Sequence, residues 1–151
     1  MRQVKIIQLP GQASDKPGHR DGGKTFILTE MAADQAERFC ARVAVLIAEA
    51  AGVNVQEPSS ATLAEMGINF ADVRVAFALT DPDLNALIWP CVKYRHKPTQ
   101  PPQEIVEGEN SQIEEISTRA KLRMEVLALH LNFSQAGASQ PTSASSPPST
   151  A

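Results

Sequence analysis

Residues 111–134, SQIEEISTRAKLRMEVLALHLNFS, constrain the fold more than any other stretch of this chain. Ile113, Ile116, Ala120, Met124, Leu127 and Leu131 recur at steps of three and four. That spacing places them on one face of an α-helix. Leu122, Val126, Leu129 and Phe133 widen this face into a broad apolar surface. Ser111 and Glu114 have the spacing of a capping box. Glu115 and Arg119 form an i,i+4 pair on the polar side, where both are predicted to be exposed, whereas Leu127 and Leu131 are predicted to be buried. Neither proline nor glycine interrupts the run. A helix of about 22 residues spans roughly 33 Å, long enough to brace a small domain. It is too polar to cross a membrane.

Other elements follow from local patterns. Residues 4–9, VKIIQL, and 24–28, KTFIL, are short and β-branched and suit an antiparallel pair of strands. The glycine- and proline-rich residues 10–23 form the loop between them. From Thr29, read as an N-cap, a helical stripe of Ala32, Ala36, Phe39, Val43, Ile47 and Ala50 runs to residue 51, with Gly52 at the C-cap position. A loop over 54–60 and a short helix over 61–66 come next. Residues 70–79 read either as a short buried helix or as a strand, with the helix preferred. Thr80 or Asp81 caps a helix whose first turn holds Pro82, and Pro90 kinks it after Trp89. The expectation is a mainly α fold. A small helical domain with an N-terminal two-stranded β-hairpin occupies 1–134, and a disordered Ser/Pro/Ala-rich tail occupies 135–151. The tail holds no charge, no aromatic residue and no aliphatic side chain larger than alanine, so it cannot offset the entropy of ordering.

Composition narrows the function. A chain of 151 residues with 11 prolines and a net charge of −3 accommodates one domain and lacks the basic balance of a nucleic-acid binder. Two cysteines, Cys40 and Cys91, are too few for a disulfide framework and point to a reducing compartment. The first residues carry no apolar signal-peptide core, and no run reaches the length of a membrane span.

One motif demands scrutiny. Gly18, Gly23, Lys24 and Thr25, in GHRDGGKT, match the letters of a nucleotide-binding P-loop. Such a loop must leave a buried strand and open a helix, so that backbone N–H groups converge on phosphate. Here the first strand ends well before Gly18 and FIL after Thr25 is extended, so nucleotide binding is the least favoured function. His19, His96 and His130 do not group into a tetrahedral metal site. His130 borders the helical core with a ring nitrogen hydrogen-bonded, and Cys40 reads as a small core hydrophobe. No nucleophile, base and electrophile assemble into a catalytic set, so the expectation is a non-enzyme without cofactor or metal. The candidate protein-binding surface is Phe39, Val43, Trp89, Tyr94, Leu122, Val126, Leu129 and Phe133.

Three segments resemble the small tail assembly chaperones of tailed bacteriophages and prophages. The first has a short strand, then LTxM, then an alanine-rich helix with AExxxxR, here Leu28, Thr29, Met31, Ala36, Glu37 and Arg42. The second is LIWPCVKYR, residues 87–95. The third is the terminal helix pattern of IEE, Thr118, Leu122 and Arg123, Glu125 and Val126, Leu129 and His130, and Phe133. Pro90 departs from the family, which often carries an acidic helix before the central cysteine. The resemblance implies a protein of the bacterial host cytoplasm that holds the tape-measure protein, recruits tail-tube subunits and has no catalytic residues. Self-association is a further expectation, and neither nucleic acid nor membrane is an expected partner. The alternative, from a different class, is a small regulatory adaptor for another protein.

Overall fold

The computed structural model describes residues 2–52 and 73–138, with side chains described at 2–50, 52 and 74–131. Strand β1 (Val4–Gln8) and strand β2 (Thr25–Thr29) pair antiparallel, with Ile6 opposite Ile27 and Ile7 opposite Phe26. Helix α1 (Ala33–Ala51), helix α2 (Val73–Ala78) and helix α3 (Pro82–Ile88) follow. A 3-10 turn, Trp89–Cys91, delivers the chain into strand β3 (Val92–Arg95). Strand β4 (Gln103–Glu104) is short, and helix α4 (Ile116–Ala138) ends the described chain.

The fold is therefore mixed, and the mainly α expectation is corrected. A four-stranded antiparallel sheet, ordered β1-β2-β3-β4, accompanies four helices among the described residues. The sheet gains two strands beyond the expected hairpin, at 92–95 and 103–104. Val92–Arg95 was expected to prolong the helix kinked at Pro90, yet it pairs with β2, Val92 opposite Leu28 and Tyr94 opposite Phe26. Pro90 lacks the N–H that would continue an α-helix, and the 3-10 turn over it redirects the chain into the sheet.

Side chains alternate along a strand, so each sheet face has its own composition. Ile7, Phe26, Leu28 and Val92 are buried on one face. They join Phe39, Cys40, Val43 and Ile47 of α1 and Leu122, Val126, Leu127 and Leu131 of α4 in a single core. On the opposite face Val4 is 59% exposed and Ile6 57% exposed.

Helix boundaries also shift. Thr29 completes β2 instead of capping α1, which starts four residues later behind Ala32 with no side-chain cap. Gly52 closes α1 in the left-handed conformation, as expected. Asp81, one of the two expected caps, accepts the Leu84 N–H and starts α3 before Pro82. Residues 73–78 are helical, in line with the preferred reading of 70–79. The loop expected at 54–60 and the helix at 61–66 lie outside the described residues.

Helix α4 begins at Ile116 and not at the Ser111 capping box; the Ser111 hydroxyl instead accepts the Ile113 N–H. Ile113 is buried ahead of the helix, and Ile116, expected to face inward, is 85% exposed. The late start leaves Ile116 in the first turn, outside the packed stripe. Leu127 and Leu131 are buried as predicted, whereas Glu115 and Arg119 are half-buried. They do not pair with each other: Glu115 binds Arg20, and Arg119 reaches Glu107. The α4 backbone runs through Ala138, into the stretch expected to be a disordered tail from residue 135; residues 139–151 lie outside the described residues.

Candidate functional site

The glycine loop that resembles a P-loop is a structural clasp. Gly22 sits where a Cβ would come within 2.7 Å of the Gln12 carbonyl oxygen, so only glycine lets the loop fold back on itself. Gly23 takes a φ of +77°, and Lys24 then leads into β2. The backbone N–H groups that a phosphate would need already have acceptors. Gly22 donates to His19, Gly23 to Leu9, Lys24 to Asp21, and both Gly18 and Arg20 to the Glu115 carboxylate. Thr25 opens a strand and not a helix.

Side chains complete the clasp. The Asp21 carboxylate, in a residue only 2% exposed, accepts the backbone N–H groups of Glu114 at 3.0 Å and of Glu115 at 2.9 Å. These two residues lead into α4, where a negative charge also suits the helix dipole. Lys24 Nζ contacts Asp21 Oδ1 at 2.8 Å, the Gln112 carbonyl at 2.6 Å and Glu114 Oε2 at 3.3 Å. An ammonium has three N–H donors, so this lysine is fully engaged. Burial pushes the Asp21 pKa up, but Lys24, the Thr118 hydroxyl and the two backbone donors outweigh it and hold the carboxyl below its ordinary value. Arg20 Nε meets Glu115 Oε1 at 2.7 Å, and the arginine bond holds the Glu115 carboxyl below its usual range. Of the pockets that border the clasp, the one at Pro10, His19 and Thr118 holds about 220 Å³ and the one at Gly22, Lys24 and His96 about 310 Å³, at or below the low end of the usual ≈ 300–1,000 Å³ of small-molecule sites.

A second tie lies deeper. His130 Nδ1 lies 2.8 Å from the Val126 carbonyl, and its Nε2 accepts the Met31 N–H at 3.0 Å. Those two bonds require the neutral ring with its proton on Nδ1. Burial lowers the His130 pKa, against the opposing pull of the Val126 carbonyl and Glu30. Phe39 tilts against the imidazole with ring centroids 5.5 Å apart.

A third cluster surrounds Trp89. The Arg119 guanidinium lies 4.3 Å from the indole centroid and that of Arg123 lies 5.7 Å away. Asn85 Oδ1 accepts both the Trp89 Nε1–H and the Arg123 Nε–H at 2.9 Å. Its amide nitrogen donates to the carbonyls of Leu79 and Asp81, which fixes the side chain.

Most of the expected protein-binding surface is core. Phe39, Val43, Leu122, Val126 and Leu129 are buried between sheet and helices, because the apolar face of α4 packs inward on both sides of the Leu127 and Leu131 stripe. Trp89 and Tyr94 remain half-exposed, and the Phe133 side chain lies outside the described residues. Cys40 and Cys91 are buried free thiols, and burial pushes each pKa up to about 11. Neither thiolate is accessible as a nucleophile near neutral pH. Among the described residues no group of three or more His, Cys, Asp or Glu is placed to hold a metal, and no helix is long and apolar enough to cross a membrane.

Sequence reasoning missed Asp21 and Arg20, whose bonds to Glu114 and Glu115 span more than 90 positions. It also missed the pairing of Arg119 and Arg123 around Trp89, for which the signal was two like charges at i,i+4. Comparison with protein-family models, curated proteins and solved structures finds no match to this chain.

Proposed function

We propose that this chain is a non-enzymatic tail assembly chaperone that acts in the bacterial cytoplasm, holds the tape-measure protein and helps recruit tail-tube subunits. The observation that carries the reading is the meeting of residues from separate resembling segments. Met31, from the LTxM segment, is hydrogen-bonded to His130, from the terminal helix pattern, 99 positions away. Two further residues of those segments are tied to the rest of the fold: Thr118 bonds Asp21, and Arg42 pairs with Asp81 at 3.3 Å. The Met31–His130 contact between the first and third segments supports the reading.

The client surface in this reading is the open sheet face. Val4 and Ile6 are exposed there, and Ile27 opposite Ile6 is half-buried. Exposed apolar side chains gathered on one face mark protein contact. The clasp gives the glycine loop a structural task that needs no nucleotide.

Co-expression with the tape-measure protein encoded nearby tests the reading. The expected result is a co-purifying complex and a more soluble client, both weakened by Ile6→Glu at an unchanged unfolding midpoint. No association and no effect on client solubility would sink it. A stable stoichiometric complex with a client unrelated to tails would assign the chain to the adaptor class.

A further inference from the structure

Among the described residues, the arginine pair around Trp89 faces a single ion-paired carboxylate, that of Glu107. Arg119 has one carboxylate neighbour, Glu107, at 3.4 Å and on an exposed side chain. Arg123 has no carboxylate within ion-pair distance among the described residues. Its Nε is committed to Asn85, so the two terminal nitrogens of the fork remain for an outside acceptor. Two like charges four positions apart on one helix, beside the same ring, oppose each other.

The arrangement is also preorganised. Asn85 is bonded on both ends of its amide, and it fixes the indole and the Arg123 guanidinium together. An anion arriving there finds a fork already oriented, so less side-chain entropy is lost on binding. Ile116 lies three positions before Arg119 on the same helical stripe and is exposed. Val106 is exposed beside Glu107. The patch therefore joins two cations and an aromatic ring to apolar neighbours, the composition enriched in the energetic centres of protein interfaces.

We propose that Trp89, Arg119 and Arg123, with Ile116 at the rim, form a docking site for an acidic amphipathic segment of a partner protein, whose carboxylates take the two arginine forks. Charge complementarity selects this occupant. A nucleic acid would bring a long row of phosphates, whereas the patch offers two cations beside apolar side chains, which suits a short amphipathic segment. Burial and the Arg119 charge lower the Arg123 pKa, against the opposing pull of Glu107. Glu107 is the carboxylate already at the rim, and the partner competes with it. The inference does not depend on the client being a tape-measure protein.

Trp89 is the single tryptophan of the chain and reports on its own site. The full-length protein is titrated, with indole fluorescence as readout, against a 20-residue amphipathic peptide of leucine and glutamate. Matched glutamine and lysine peptides and a 20-nucleotide single strand of DNA serve as comparators. The expected result is saturable binding of the glutamate peptide, at least tenfold tighter than any comparator. Arg123→Gln weakens it tenfold or more, and Glu107→Gln tightens it severalfold. Ile116→Ser, at a side chain that packs into no core, weakens it severalfold and keeps the test valid should Arg123→Gln impair folding. No fluorescence change, or binding indifferent to both Arg123→Gln and Ile116→Ser, overturns the proposal. Equal or tighter binding of DNA overturns it in favour of a phosphate site. Sedimentation that reveals a dimer broken by Arg123→Gln or by Glu107→Gln assigns the patch to a second copy of this chain and also overturns it.

Discussion

Two ties hold the N-terminal strands to helix α4, and they differ in kind. The clasp at the start of α4 uses charge: Asp21, Lys24, Arg20 and the two glutamates. The seam further along uses a neutral imidazole between Met31 and Val126, under the Phe39 ring. The clasp fixes where the helix begins, and its partners are partly solvated. The seam sits in the core, where a lost atom leaves a void that water does not fill. Position along one helix thus decides which physics does the holding. Near solvent, directional charged bonds set register; inside, packing and one satisfied polar ring set it.

Breaking the seam has the largest expected effect. Phe39 is fully buried and touches the imidazole, so Phe39→Ala removes both its transfer energy and its ring contact. The expected loss is about 3–5 kcal/mol in urea unfolding. A loss under about 1 kcal/mol would mean the helices close over the gap and the core is looser than its burial implies.

The clasp comes next. Asp21→Ala leaves the Glu114 and Glu115 N–H groups and the Lys24 ammonium without their shared acceptor. The expected cost is about 1–3 kcal/mol, less than for the seam because water can reach part of the vacated site. Hydrogen exchange should locate the damage: protection falls in the first turn of α4 and persists around Leu127. Uniform loss along the helix would show that clasp and seam are one cooperative unit.

How legible these ties were follows from distance in sequence. The apolar stripe of α1 and the burial of Leu127 and Leu131 could be read because helical periodicity is local. β1 and β2 were also readable, as short β-branched runs either side of a glycine-rich loop. β3 was not, because VKYR is four residues long and owes its conformation to pairing with β2. The late start of α4 escaped for the same reason: the N–H groups of Glu114 and Glu115, just ahead of it, are satisfied by Asp21, 93 and 94 residues away, and not by the nearby serine. The candidate surface failed because a wide apolar helical face looks the same in sequence whether core or partner covers it. Of the described residues of that set, Trp89 and Tyr94 stay half-exposed, and Trp89 lies beside Arg119 and Arg123.

Acid separates the two ties. His130 has a folded pKa below its ordinary value of about 6.5, so the unfolded chain takes up the proton first. Its contribution is fully present above about pH 6.5 and declines as pH falls toward the folded pKa, by at most about 1.4 kcal/mol per pH unit. Asp21 also has a depressed folded pKa, from an ordinary value near 3.9. Its contribution is present above about pH 4 and is lost as pH falls through the lower, folded value. Stability should therefore decline in two stages on acidification. His130→Gln should flatten the first stage and leave the second, and Asp21→Asn should do the reverse. A single stage abolished by Asp21→Asn alone would mean that His130 does not stay neutral.

The smallest effect belongs to a third contact, outside both ties. Lys5 lies opposite Leu28 on the inner face of the edge strand β1, yet its ammonium reaches out to Glu125 Oε2 of α4 at 2.6 Å. The lysine side chain is 42% exposed and the glutamate 26%, so water screens the pair. Such pairs contribute about 0–1 kcal/mol. A double-mutant cycle with Lys5→Ala and Glu125→Ala should return a coupling in that range. In 1 M salt, where the screening length is about 3 Å, the coupling should vanish. The pair still has a use: an inward lysine on an edge strand discourages other strands from adding to it. Lys5→Val should therefore leave the unfolding midpoint within about 1 kcal/mol of the parent while raising self-association at high concentration. Coupling above about 2 kcal/mol that survives 1 M salt would place this contact with the seam, as a part of the core.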